Sequence, residues 1–335
     1  MMAQNPPSCN ASAIADNFFQ NLRQTHCPRS AWVKLMRDAD SRPAKTVVVV
    51  GCNKGYDAVR FLDLWTRGPA GSATRSLLGE WSDALRAQHV GCGRCRACAP
   101  PATGTPTPTM APSRGPTVVC VDPLPANIAL INRTAAQLGF DAPRGGGRGA
   151  ALRVVQAAMT SPAMAAERQT ADFPAIAHAG REDVGIDYNT RAPDRRAKRP
   201  ADAPVAVVSV RLRTVDSLVE SERLALGGSV IDILTTDAEG HDALVLEGAR
   251  DVLTRVRYLE FEYHAIGHWA SASLRDVIGS LESSGMDCYW AGHERLWRLT
   301  GCWDDRYQHF RAWSNIACVR RGDVWHSVLS GFAFG

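Results

Sequence analysis

Thr46-Val47-Val48-Val49-Val50-Gly51-Cys52-Asn53-Lys54-Gly55 is the stretch that decides the fold. Its four valines run without polar–apolar alternation, so the strand they form is buried on both faces, as in a parallel sheet. Gly51 ends the run. Helical periodicity then begins, with Ala58, Phe61, Leu62 and Trp65 on one face of a helix over 56–65. A buried strand, a glycine turn and a helix make the opening unit of a doubly wound sheet, whose ligands gather beyond the carboxyl ends of the strands. Small residues at Gly51, Cys52, Asn53 and Gly55 let the backbone turn sharply. They leave N–H groups at the helix start for a carboxylate or phosphate. A glycine turn of this kind also occurs with no ligand at all.

Outward from that unit, 117–122 reads as a second buried strand. It ends at Asp122, followed by Pro123. An acidic side chain there can accept both hydroxyls of a ribose; the alternative is a turn aspartate before proline. The spacing from Gly51 exceeds the usual ~20 residues. A Gly-, Pro-, Ser-, Thr- and Cys-rich insertion over 67–116, with a helix near 76–88, accounts for the excess. A helix over 125–138 follows, then a third strand over 152–158. A second irregular segment spans 161–204, read as a loop over the site or a disordered insertion. Beyond it come a strand at 205–213, a helix at 214–226, a strand at 230–235, a helix at 241–253, a strand at 256–263 and a helix at 274–284. The aromatic region 287–321 is patterned as two or three antiparallel strands. Residues 1–41 read as a helical lead-in, with helices around 13–23 and 32–37, to one domain over 42–335. The expected fold is therefore α/β and Rossmann-like. Its doubly wound, mostly parallel sheet has an antiparallel C-terminal portion and two long insertions.

Two strand ends carry the chemistry. Thr235-Thr236-Asp237-Ala238-Glu239-Gly240-His241-Asp242 delivers Asp237 and Glu239 at a strand terminus and turns at Gly240 into a helix. Asp242, at that helix start, suits the helix dipole. In Leu259-Glu260-Phe261-Glu262-Tyr263-His264, strand alternation puts Glu260, Glu262 and His264 on one face. Glu262 and His264 would then face Asp237 across the crevice. Carboxylates beside an imidazole suit proton abstraction or a hard divalent cation; a structural hydrogen-bond network is the alternative.

The remaining composition narrows the class. A net charge of +4 over 335 residues, with basic residues dispersed, does not mark a nucleic-acid binder. No apolar run approaches the roughly 18–20 residues of a membrane span, and 1–10 lacks the pattern of a secretory signal. The ten cysteines, mostly scattered, therefore read as reduced thiols of a cytoplasmic protein. His89, Cys92, Cys95 and Cys98 fall at three-residue intervals and would suit zinc, but the paired knuckles of structural zinc sites are missing. A cysteine-bearing loop is the preferred reading. Trp269, Trp290, Trp297 and Trp303 read as core or strand-pairing residues, with a place in an acceptor pocket as the alternative.

Taken in order, Val50-Gly51-Cys52-Asn53-Lys54-Gly55, Val121-Asp122-Pro123, Thr214-Val215-Asp216-Ser217-Leu218, Asp237-Ala238-Glu239-Gly240-His241-Asp242 with the following Leu246-Glu247-Gly248-Ala249, and Glu260-Phe261-Glu262-Tyr263-His264 resemble the FkbM-type methyltransferases. The resemblance covers about 45–60, 117–160 and 205–320. It implies S-adenosylmethionine as cofactor and a hydroxyl of a small molecule or glycan as acceptor. It implies Gly51, Cys52, Asn53 and Gly55 in the cofactor turn, Asp122 and Pro123 at the ribose, and Ala157 and Ala158 near the adenine. Asp237 and Glu239 would border methyl transfer, with Asp237, Glu239, Glu262 or His264 handling the proton. The sequence departs from the family at Val49, Cys52 and Asp122, where the family more often has aspartate, alanine and glutamate. Two other classes stay open: a nicotinamide-dependent oxidoreductase, against which the absent Gly-x-Gly-x-x-Gly spacing counts, and a non-catalytic binding protein on the same fold.

Overall fold

The computed structural model describes residues 9–25, 27, 31–40, 42, 45–66, 76–93, 95, 115–140, 150–175, 179–180, 184–186, 206–222, 224 and 230–334. Two helices, α1 (Ala11–Gln20) and α2 (Trp32–Ala39), precede β1 (Thr46–Val50), α3 (Tyr56–Thr66) and α4 (Leu77–Ala87). The chain continues through β2 (Thr117–Asp122), α5 (Pro125–Gln137), β3 (Ala151–Gln156), β4 (Ala158–Met159), α6 (Pro162–Glu167) and β5 (Thr170–Pro174). Then come β6 (Val207–Arg213), α7 (Val215–Ser221), β7 (Ile231–Thr236), α8 (Asp242–Glu247), α9 (Arg250–Leu253) and β8 (Val256–Tyr263). The C-terminal portion holds α10 (Leu274–Ser283), β9 (Met286–Ala291), β10 (Leu296–Arg298), α11 (Arg306–His309), β11 (Ser314–Arg320), α12 (Val324–Ser330) and β12 (Ala333–Phe334).

The main sheet has the strand order β12-β10-β9-β11-β8-β7-β1-β2-β3. β1 pairs in parallel with β2 on one side and β7 on the other, so Val49 lies between Cys120 and Thr235. The chain leaves β1 toward β2 and β3, then returns to β7, which makes the carboxyl end of β1 the switch in strand order. β11 runs antiparallel to both β8 and β9. The valine run acts as its composition requires. Val48 and Val50 join one buried layer with Val121 and Leu234, under Phe18 of α1 and Leu218 of α7. Val47 and Val49 join the other with Cys120 and Ile233, under Trp32 of α2 and Leu62 of α3. A sheet covered on both faces has no room for polar alternation. At the amino ends of the strands, Arg257 bonds Asp40, Asp232 and Asp323 and lies 3.6 Å over the Trp325 ring, tying α12 and the segment after α2 to the sheet.

Three local expectations are corrected. The strand expected over 205–213 is β6, but it stands outside the main sheet. It pairs with β4 and β5 in a separate three-stranded sheet. Its burial alternates, with Val210 and Leu212 inward, as befits a sheet with one covered face. The segment 161–204 is not wholly irregular, because it supplies α6 and β5; residues 187–205 lie outside those described, as does the basic cluster Arg195, Arg196, Lys198 and Arg199. The helix expected over 241–253 is broken into α8 and α9 at Gly248. A Cβ there would lie 2.2 Å from the Thr160 carbonyl, so the two segments meet backbone to backbone.

The reading of the cysteines as scattered free thiols is also corrected. Cys9 is disulfide-bonded to Cys302, Cys27 to Cys95, Cys52 to Cys120, and Cys288 to Cys318, with Cα separations of 4.0–5.7 Å. Linear spacing hid these pairs because the fold, not the chain order, sets them. Bonded cysteines do not mark a reducing compartment. Among the described residues no helix is long and apolar enough to cross a membrane.

Candidate active site

The switch point opens into a cleft of about 610 Å³, a figure that includes the open solvent at its mouth. Its floor is the turn after β1. Gly51 has φ +84°, and a Cβ on it would fall 1.9 Å from the Asp237 carbonyl oxygen. Only glycine lets β1 and β7 close that gap. Asn53 (φ +48°) and Gly55 (φ +78°) continue the left-handed turn. The turn is bound to β2: the Gly51 and Cys52 amides donate to the Val121 carbonyl at 2.9 and 3.1 Å, and the Asn53 amide to Asp122 Oδ2 at 2.7 Å.

Asp122 is 3% exposed. Its Oδ1 accepts from the Leu124 amide at 2.9 Å and Asn127 Nδ2 at 3.0 Å. Burial pushes its carboxyl up to about 6, against these hydrogen bonds, which favour the charged form. The expected ribose residue is therefore also the anchor of the turn. Gly51, Asn53, Asp122, Pro123, Ala157 and Ala158 all line the cleft; Cys52 and Gly55 shape the turn from behind, Gly55 under the Trp81 ring.

The opposite wall is apolar and was missed by sequence reasoning. Phe173 of β5, together with Leu124, Val184 and Ile186, lines the cleft, packed with the core of the small sheet. The alternation around Phe173 was the available signal, hidden in a segment rich in charge and proline. Asn127 was missed too; it reaches Asp122 only because α5 starts directly after the strand.

At the far end, Asp237 and Glu239 line the cleft with Ala238 and His241. Glu239 has φ +53°, a conformation that is costly for a non-glycine residue and occurs where surroundings enforce it. Asp237 opens onto the cleft, yet protein surrounds it on the other sides. Its carboxyl is held well above the usual range by burial first, then by Glu262, Glu239 and Asp242. Asp237 and Glu262 share a hydrogen bond that raises Asp237 and lowers Glu262, although burial, Asp242 and Glu239 still hold Glu262 well above the usual range. Two such carboxyls hold one proton between them.

Glu262 and His264 do not line the cleft; they stand behind Asp237. His264 is fully buried. Its Nδ1 accepts the Ile266 amide at 3.0 Å, and its Nε2 lies 3.1 Å from Glu262. The ring stacks on Trp313 with centroids 4.7 Å apart. Asp242 is buried, its Oδ1 accepting from Thr236 Oγ1 at 2.8 Å and the Ala238 amide at 3.1 Å, which shapes the loop carrying Asp237. Glu260, expected on the same face, bonds Tyr258 and Asn315 instead. Trp269, Trp290 and Trp297 are fully buried core, and Trp303 packs against it.

Among the described residues no group of three or more His, Cys, Asp or Glu is arranged to hold a metal ion. The zinc set is corrected on its own chemistry. Cys92 and Cys95 are disulfide-bonded, and such sulfurs are not thiolate ligands. Cys98 lies outside the described residues, and His89 follows the end of α4.

No curated protein and no solved structure matches the chain. The turn at Gly51–Gly55 precedes the region in which a family match is found, whereas Asp122, the small sheet, Asp237 and Glu262 fall within it. The profile of the methyltransferase FkbM domain matches residues 105–285, more than half of the 335 residues, and the chain belongs to that family.

Proposed function

We propose that this chain transfers a methyl group from S-adenosylmethionine to a hydroxyl oxygen of a small-molecule or glycan acceptor. The cleft's donor set fits that cofactor. A glycine that tolerates no Cβ brings backbone close to the ligand, a buried acid stands at the second strand end, and one wall is apolar. In this reading Asp122 and Asn53 hold the ribose, while Ala157, Ala158 and Phe173 enclose the adenine. The turn amides and the Asp237 end take the amino-acid portion. The bound cofactor supplies an electrophilic methyl on a sulfonium.

The chain's own work is to align the acceptor oxygen with that methyl and to take the acceptor's proton. Asp237 is the group placed for the second task, since it is exposed where it lines the cleft, whereas Glu262 stands behind it. Glu262 accepts the hydrogen bond from Asp237, so Asp237 serves as base once the shared proton has been lost. His264 stands behind Glu262, with Nε2 3.1 Å from its carboxylate. The single observation that carries the reading is this carboxyl pair at the ends of β7 and β8, with Asp237 facing a cleft built on the glycine turn and Glu262 behind it.

The test is an acceptor screen with methyl-labelled S-adenosylmethionine, reading label by mass. Label on an acceptor oxygen, lost in Asp237→Asn, supports the proposal. Label on nitrogen or carbon, or undiminished transfer by Asp237→Asn, contradicts it.

A further inference from the structure

Cys52 lies in the turn after β1, and Cys120 lies on β2 two residues before Asp122. Their Cα atoms are 5.6 Å apart, a separation that a disulfide spans, and the two are bonded. This bond joins the two segments that form the floor of the cleft. The same segments are joined by the Gly51, Cys52 and Asn53 amides, all donating to Val121 or Asp122. The turn needs such fastening, because Gly51, Asn53 and Gly55 are all left-handed, and Asn53 has no glycine's freedom to be so. None of the family features above calls for a sulfur at position 52.

We propose that Cys52 and Cys120 form a reversible disulfide latch that holds the turn in its ligand-binding shape, so that cofactor affinity follows thiol redox state. The inference rests on reading the cleft as the S-adenosylmethionine site. Closing the latch removes two electrons and two protons from the two thiols. The acceptor is a low-molecular-weight disulfide, which is reduced to two thiols by exchange through a mixed disulfide. A dithiol reductant reverses the step and is itself oxidised to a disulfide. Cys52 is 5% exposed and Cys120 is fully buried, so a reductant reaches the bond only when the turn opens. A ligand resting on the turn opposes that opening. The coupling is reciprocal: the factor by which the bond tightens the ligand is the factor by which the ligand favours the bond.

The test uses the full chain and S-adenosylhomocysteine as probe. Calorimetry compares air-oxidised protein, dithiothreitol-treated protein and the Cys52→Ala/Cys120→Ala variant. Oxidised protein is expected to bind about five- to a hundredfold tighter. The variant should match the reduced protein and ignore dithiothreitol, which separates this pair from the other disulfides. Cys120→Val alone gives the same comparison if the double variant does not fold. Unreduced peptide mapping should recover Cys52 linked to Cys120, with the probe slowing its reduction. Equal affinity of oxidised protein and variant, or free thiols at both positions after oxidation, overturns the latch. Binding that ignores redox state sinks the latch alone; no binding by any form sinks the cofactor reading as well.

Discussion

Asp237 at the end of β7 and Glu262 at the end of β8 share a hydrogen bond and, with it, a proton. Burial holds both carboxyls above their usual range, with Glu262, Glu239 and Asp242 repelling the charge on Asp237 and Asp242 and Glu239 that on Glu262, so the pair is half-neutralised where an isolated carboxylate would be fully charged. Replacing Asp237 by asparagine removes the only member that opens onto the cleft. Turnover should fall about 10²- to 10⁴-fold, while the dissociation constant for S-adenosylhomocysteine changes far less. Steady-state kinetics beside calorimetry would separate the two; a matched loss in both would make Asp237 a binding residue only.

The same pair sets a pH dependence. A base must be deprotonated, and a raised pKa means that kcat/KM rises with pH through a limb above the ordinary carboxylate range. Glu262→Gln removes a like charge next to Asp237, so the pKa of Asp237 falls and the limb moves to lower pH. A pH–rate profile of the variant with an unmoved or upward-shifted limb would show that the titration belongs to another group.

Asp122 couples the turn to β2. In Asp122→Asn the amide group can no longer accept from all of Asn53, Leu124 and Asn127, and one donor is left facing an NH₂. Hydrogen bonds to a charged group contribute about 1.5–3 kcal/mol, so S-adenosylhomocysteine affinity should drop roughly tenfold or more. Stability carries its own signature. The folded pKa, about 6, lies above the ordinary value of 3.8, so the folded state binds more protons between them. The Asp122 contribution is therefore most favourable below pH 4 and is lost as pH rises through 6. Urea titrations at pH 4.5 and 7 should show this slope weakened in the variant.

Gly51→Ala sets a Cβ against the Asp237 carbonyl at a positive φ. Backbone must move on both strands, and a destabilisation of about 2–4 kcal/mol is expected, read as a lower melting temperature. Gly139, where a Cβ meets nothing within 4 Å, serves as the comparison, since Gly139→Ala retains only the φ penalty.

How much of this was legible beforehand follows from the range of the interactions involved. The valine run and the 3.6-residue periodicities are local, and β1, β2, β7 and β8 stand where they were expected, with helices after each, the one after β7 broken at Gly248. Asp122 and Asp237 were legible because strand ends in a doubly wound sheet converge. What was missed depends on contacts between distant segments. β6 reads as one more strand of the main sheet because its membership of the small sheet is decided by β4 and β5. His264 reads as a cleft residue because alternation places it on the right face but says nothing about depth. The four disulfides between described residues, 30 to 293 residues apart in sequence, carry no local signal.

The apolar wall gives a further check. Phe173→Leu keeps a buried apolar side chain but loses ring area against the cleft. Folding should survive with a loss near 1 kcal/mol, and S-adenosylhomocysteine affinity should weaken several-fold. Unchanged affinity would place the adenine elsewhere.

The central claim is that the cleft above the Gly51 turn is built for S-adenosylmethionine. Calorimetry of the full chain against S-adenosylmethionine, S-adenosylhomocysteine and NAD tests it most directly. The expected result is one site per chain for the first two, weakened by Asp122→Asn, and no heat with NAD. Binding of NAD alone, or of none of the three, would contradict it.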